Sequence, residues 1–261
     1  MRCRHGHWDR RAFIGVLGVG LATIMNGYGS GFSDTAPAAQ QPPPADEVQN
    51  RAVVLSQGPQ GPQHIALTID DGYCTDCVTG YVDFAQRTGI HITFAPNGTY
   101  DRVWAPHAPV LRPLIEAGQV QIMNHTFNHP YLTRISTSKI QEELEQNEQW
   151  VMRTFGTTTH PYFRPPYGSH NATVDNVAAE MGFDRVVLWN GSLGDDTTVS
   201  PEFLMSQARQ YMNPGVIMLG HANHRTVLDL FDELVQLIHE RALQPVTLDE
   251  MFGTKRLPAP G

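Results

Sequence analysis

His64-Ile65-Ala66-Leu67-Thr68-Ile69-Asp70-Asp71-Gly72 is an apolar run that ends on two adjacent carboxylates and a glycine. An unbroken stretch such as Ile65–Ile69 suits a strand buried on both faces, as parallel strands between helices are. Similar short runs recur at Ile90–Ala95, Val120–Met123, Tyr162–Arg164, Arg185–Trp189, Val216–Leu219 and Pro245–Leu248. Helical patterns lie between them. Ser138-Lys139-Ile140-Gln141 opens one with a capping-box signature and good helix formers continue to about Phe155. Ser200-Pro201 opens another, and Leu228, Phe231, Leu234, Val235 and Ile238 repeat at helical spacing within Thr226–Ala242. Gly89, Gly118, Gly156 and Gly182 close four segments where a left-handed cap is wanted. Strands alternating with helices predict a parallel α/β domain, either a closed or distorted barrel or an open doubly wound sheet. No glycine-rich phosphate loop follows the first strand, which argues against nucleotide binding.

The chain has 261 residues, 41% of them hydrophobic and 17% charged, an ordinary globular composition. Its formal net charge of −8 argues against nucleic acid as a partner and favours a neutral polymer or a small molecule. Arg2, Arg4, Arg10 and Arg11 precede an apolar, glycine-rich stretch, Ala12–Met25, and small residues follow to Ala36-Pro37-Ala38. That order marks residues 1–38 as an export signal. Arg10-Arg11-Ala12-Phe13-Ile14 fits the twin-arginine type. The apolar run is short of the roughly 20 residues a spanning helix needs, so no stable membrane insertion is expected after cleavage. Residues 39–62 read as a Pro/Gln-rich linker, 63–253 as the folded domain and 254–261 as a tail. A monomer is expected. Four Asn-x-Ser/Thr matches, at Asn97, Asn124, Asn171 and Asn190, are read as chance, because a bacterial type of signal argues against glycosylation. Cys3 leaves with the signal. Cys74 and Cys77 remain, and an oxidising compartment favours a small disulfide clip between them.

The polar residues that interrupt these runs gather at the carboxyl ends of the candidate strands. Asp70 and Asp71 follow the first, His125 and His129 the third and Arg164 to Gly168 the fourth. Asp195 and Asp196 follow the fifth, and His221 the sixth. That rim is where parallel barrels and open α/β sheets place their active sites. His125 and His129 have His-x-x-x-His spacing, and with one carboxylate of Asp70-Asp71 they make a ligand set that zinc accepts with a position left open. Pro130 follows at once, which favours a ligand-bearing loop over a long helix. Side chains alternate along a strand, so the two aspartates should point apart, one to the cation and one to a water.

These residues resemble the motifs of the polysaccharide deacetylases, also called carbohydrate esterase family 4 or NodB-homology domains. Thr68-Ile69-Asp70-Asp71-Gly72, the His125/His129 pair, Arg164-Pro165-Pro166-Tyr167-Gly168 and Leu219-Gly220-His221 carry the likeness, in order, across roughly residues 64–252. The resemblance implies a distorted (β/α)7 barrel acting on an acetylated amino-sugar polymer such as peptidoglycan or chitin oligomers. It implies Asp71, His125 and His129 as ligands of a divalent metal, with zinc expected and cobalt or nickel as alternatives. Asp70 would be the general base, held ionised by Arg164. The Tyr167 N–H would bind the oxyanion, and His221, oriented by Asp195, would be the general acid. The fourth motif departs from the family pattern, because Asp196 stands where a tryptophan usually follows, leaving Asp195 and Asp196 both open as the partner of His221. Alternative readings are an O-acetyl esterase on acetylated hemicellulose, a hydrolase of small cyclic amides, a non-haem iron oxygenase and a non-catalytic wall-binding relative. The oxygenase leaves Asp70, Arg164 and His221 without a task, and a binding module needs no base–acid pair.

Overall fold

The apolar run with its two aspartates forms strand β2, His64–Asp71, in a computed structural model that describes residues 52–254. The segment read as an export signal, the first part of the expected linker and residues 255–261 lie outside those residues. In chain order the elements are β1 (Val53–Leu55), β2, α1 (Thr75–Thr88), β3 (Ile92–Pro96), α2 (Asp101–Trp104), α3 (Ala108–Glu116), β4 (Val120–Ile122) and α4 (Thr137–Phe155). There follow β5 (Tyr162–Phe163), α5 (Ala172–Glu180), β6 (Arg185–Val187), β7 (Gly191–Ser192), α6 (Pro201–Tyr211), β8 (Ile217–His221), α7 (Phe231–Glu240), β9 (Gln244–Pro245) and α8 (Leu248–Phe252). Among the described residues no helix is long and apolar enough to cross a membrane.

Every ladder is parallel. One sheet runs β4-β3-β2-β8-β7 and the other β1-β6-β5, and an isolated parallel bridge from Asn124 to Phe163 joins β4 to β5. The joined sheet curls. Ala66, Ala95, Met123, Tyr162, Val187 and Ile217, from six different strand segments, meet in one buried cluster, which a flat sheet could not bring together. Their neighbours along the strands, such as Ile65, Ile69, Ile92, Phe94 and Val120, face the other way and pack under the helices. This is the α/β barrel-like architecture expected. Among the described residues no ladder closes β7 against β1.

Several local expectations shift. Helix α4 begins at Thr137, because Ser136, not Ser138, accepts the Lys139 N–H and caps it. Of Pro245–Leu248 only Pro245 lies in a strand, the two-residue β9, because Thr247 and Glu250 form a capping box that starts α8. The linker reading of 39–62 is too long at its far end. Val53–Leu55 pairs with Arg185–Val187 as β1, so those residues belong to the sheet. Cys74 and Cys77 are disulfide-bonded, and Cys74 caps α1.

Candidate active site and metal centre

The carboxyl ends of β2, β4, β5 and β8 converge on a cleft of about 450 Å³ lined by Asp70, Asp71, His125, His129, Tyr167 and His221, among others. Strand alternation would send Asp70 and Asp71 to opposite faces, yet both reach this cleft. The reason is backbone: Asp71 has φ 65°, which turns its side chain back towards the histidines. Gly72 follows at φ 97°, and a Cβ there would come within 2.3 Å of the Trp104 indole, whose Nε1–H donates to the Asp71 carbonyl at 2.9 Å. Gly72→Ala should therefore cost about 1–3 kcal/mol in denaturant unfolding and weaken cation binding, since the residue it displaces fixes Asp71.

His125–His129 is a loop, with Thr126 at φ 66° and His129 at φ 58°. Buried asparagines hold it. Asn97 Nδ2–H donates to the carbonyls of His125 (2.7 Å) and Thr126 (3.0 Å), and the Thr126 N–H donates to Asn124 Oδ1 at 2.9 Å. Glu143 accepts from the N–H and the side chain of Asn128 at 2.8 and 3.0 Å. Composition alone had offered no role for Asn97 or Asn124. The signal available was their place at strand ends, beside the histidines.

His125 Nδ1 lies 2.8 Å from the Arg164 carbonyl, which can only accept, so Nδ1 carries the proton and Nε2 presents a lone pair. That Nε2 is 3.4 Å from Asp71 Oδ1, and His129 Nε2 is 3.3 Å from the same oxygen. Asp71 Oδ1 is buried and makes no hydrogen bond. Ligand atoms around a tetrahedral ion at 2.0–2.2 Å stand about 3.3–3.6 Å apart, so the three donors fit one divalent cation, and all lie within 4.8 Å of one another. Burial and the neighbouring His125 push His129 down to about 4, which leaves a neutral ligand at neutral pH. Burial opposes ionisation of Asp71, but His125 and the other nearby histidines outweigh it and hold Asp71 well below its usual range. The other Asp71 oxygen accepts from Asn223 Nδ2 at 2.8 Å, an orienting contact that the sequence reading had not assigned.

Asp70 is buried, and its Oδ1 accepts from Arg164 Nη1 at 2.7 Å. Arg164 is wholly buried and also donates its Nε–H to the Val187 carbonyl and an Nη2–H to the Leu188 carbonyl, both at 3.3 Å. Asp70 Oδ2 faces the cation site, 3.6 Å from His125 Nε2. Across the cleft, Asp195 receives both the N–H and the Nδ1 of His221, each at 3.0 Å. Asp196 is exposed on the cleft rim and makes no such contact. Burial disfavours a charged His221, but the hydrogen bond and charge of Asp195, aided by Asp70 and Asp71, raise it to about 9. Tyr167 has φ 61° and lines the cleft with Trp189 and Leu219.

The sequence model of the family described as polysaccharide deacetylase matches residues 57–186. The chain belongs to that family. Peptidoglycan-N-acetylglucosamine deacetylase PgdA of Listeria monocytogenes is 28% identical over 197 residues, which cover 74% of this chain and 40% of PgdA. The present polysaccharide deacetylase domain therefore matches less than half the length of that relative. Among solved structures, the Bc1960 peptidoglycan N-acetylglucosamine deacetylase superposes with a TM-score of 0.70 at 23% identity, over 81% of this chain and 97% of that one. A family 4 pseudoenzyme from Bacillus anthracis superposes at 0.68 with 18% identity, over 78% and 70% of the two chains. At such identities the likeness shows the fold, and that fold houses both active and inactive members of the polysaccharide deacetylase family.

Proposed function

We propose that this chain is an exported, metal-dependent N-deacetylase of a glucosamine-containing polymer such as peptidoglycan or chitin, releasing acetate. The observation that carries the reading is a buried carboxylate, Asp70, and an Asp195-bound histidine, His221, lining one cleft with a three-donor cation site. Residues 1–38 act as the twin-arginine signal and the remaining linker as a spacer, both outside the described residues.

Asp71, His125 and His129 would hold the divalent cation, with zinc the best match to two imidazoles and a carboxylate. Bound there, a divalent cation supplies a Lewis acid that polarises the acetyl carbonyl and lowers the pKa of water. Asp70 takes the proton from the attacking water as its oxygen forms the new C–O bond. Arg164 keeps that carboxylate ionised and aimed, since its guanidinium cannot leave the buried pocket. The Tyr167 N–H donates to the oxyanion, an interaction worth roughly 2.7–4 kcal/mol in comparable sites. His221 gives its Nε2 proton to the amine nitrogen as the C–N bond breaks, because the amine is a poor leaving group as an anion. Asp195 holds the other ring nitrogen and fixes the orientation of His221.

Acetate release from N-acetylglucosamine oligomers, stopped by a chelator and restored by zinc, is the expected result. Purified, metal-loaded protein that releases no acetate from any acetylated glycan would overturn the reading. The acid role has its own pH signature. His221 must be protonated to act, so kcat should fall as pH rises through about 9. Asp195→Asn removes the main group that favours the charged ring, so the alkaline limb should move to lower pH. A pH–kcat profile checks this, and an unmoved limb would remove His221 from the acid role.

A further inference from the structure

Three of the large apolar side chains left exposed among the described residues are tyrosines near the cleft: Tyr73 at 46%, Tyr131 at 38% and Tyr167 at 55%. Their settings differ. Tyr131 and Tyr167 cover each other, with centroids 3.9 Å apart at 12°, and Arg134 lies 4.3 Å above the Tyr131 ring. That pair is a filled wall. Tyr73 meets Tyr100 and His224 only at steep angles, 62° and 89°, so neither ring stacks flat on it.

The backbone under Tyr73 is nevertheless tightly held. The N–H groups of Gly72 and Tyr73 donate to Asn223 Oδ1 at 3.1 and 3.4 Å, and the Cys74 N–H donates to the Ala222 carbonyl at 3.4 Å. The Cys74–Cys77 disulfide begins at the next residue. At the ring's far end the hydroxyl lies 3.2 Å from His224 Nε2, and His224 Nδ1 lies 3.1 Å from Thr198 Oγ1. His224 Nε2 also approaches the carbonyl of Asp196, which lines the cleft, so this ring and the cleft share one rim. An aromatic ring fixed at both ends and left in water adds little to the core. What it offers is a flat apolar surface with little rotamer freedom left to lose on binding.

We propose that Tyr73, propped by His224, is a sugar-stacking subsite that receives the pyranose next to the residue being deacetylated. This rests on the polymer-deacetylase reading and specifies how the polymer is gripped. In a β-linked glucosamine chain the ring substituents are equatorial, so each ring face is a C–H surface that suits the negative face of an aromatic ring. The ring of Tyr73 provides that face two residues from the Asp71 carboxylate, on a segment that Asn223 already ties to it.

The test is calorimetric titration of zinc-loaded Asp70→Asn protein with the pentamer of N-acetylglucosamine. Adding Tyr73→Ala should weaken pentamer binding about tenfold, the effect of losing about 1.4 kcal/mol. Tyr73→Phe, which keeps the ring and loses the hydroxyl, should stay within about twofold of the parent. Equal affinities for Tyr73→Ala and the parent would overturn the subsite and leave the deacetylase reading intact. A Tyr73→Phe variant as weak as Tyr73→Ala would also overturn it, by assigning the effect to the hydroxyl contact with His224. If the parent binds no pentamer and the unaltered chain releases no acetate, the deacetylase reading fails and the subsite fails with it.

Discussion

Asp70→Asn should keep its cation and lose about 10²- to 10⁴-fold in kcat, the range that a positioned general base contributes. Asparagine has the shape of aspartate and its side-chain oxygen can still accept from Arg164 Nη1, which donates to Asp70 at 2.7 Å. It cannot take a proton from water. The groups proposed to hold the cation are others, Asp71, His125 and His129, so metal content by elemental analysis should match the parent. Some stability will also be lost, because the wholly buried Arg164 would keep its charge without a counter-charge. Two backbone carbonyls still receive its donors, at 3.3 Å each, so a folded variant is expected. Activity near that of the parent would show that Asp70 is not the base. Loss of the cation along with activity would move Asp70 into the ligand set.

His125→Ala should lose both cation and activity. Removing a partner that merely orients a ligand commonly costs about 10–100-fold in metal affinity, and removing the ligand itself should cost more than that. His125 is the most buried of the three donors and is tied to the Arg164 carbonyl at 2.8 Å. Its loss therefore also loosens the strand end that carries Arg164. Isothermal titration with zinc, beside circular dichroism to establish folding, separates the two effects. A folded His125→Ala protein that binds zinc as tightly as the parent would place the cation elsewhere.

The polar residues that break the apolar runs were readable as a site because each falls where a parallel strand ends. Chain order put Asp70, His125, Arg164 and His221 on one rim, and the resemblance supplied roles for them. Backbone reversals were not readable. Nothing in Ile69-Asp70-Asp71-Gly72 declares that Asp71 takes φ 65°, because only tertiary contacts such as the Trp104 bond to its carbonyl maintain it. The roles of the asparagines were hidden for a related reason. All four Asn-x-Ser/Thr matches have structural work. Asn97 and Asn124 brace the histidine loop, Asn171 caps α5 by accepting the Val174 N–H at 3.0 Å, and Asn190 accepts the Ile217 N–H at 2.9 Å. A local pattern cannot reveal a partner many residues away. The same holds for β1, whose three residues are defined only by pairing with β6, and for Asp195, distinguished from Asp196 only by the approach of His221.

The Asn223 tether has a temporal corollary. The two residues it joins are 152 positions apart, so a nascent chain leaving the ribosome would expose Asp71, His125 and His129 well before Asn223 and His221 emerge. During that interval a passing ion could be captured by donors whose carboxylate is not yet oriented by Asn223 and before His221, the proposed acid, is in place. The assembled site would thus wait for the eighth strand and the residues just after it, late in synthesis.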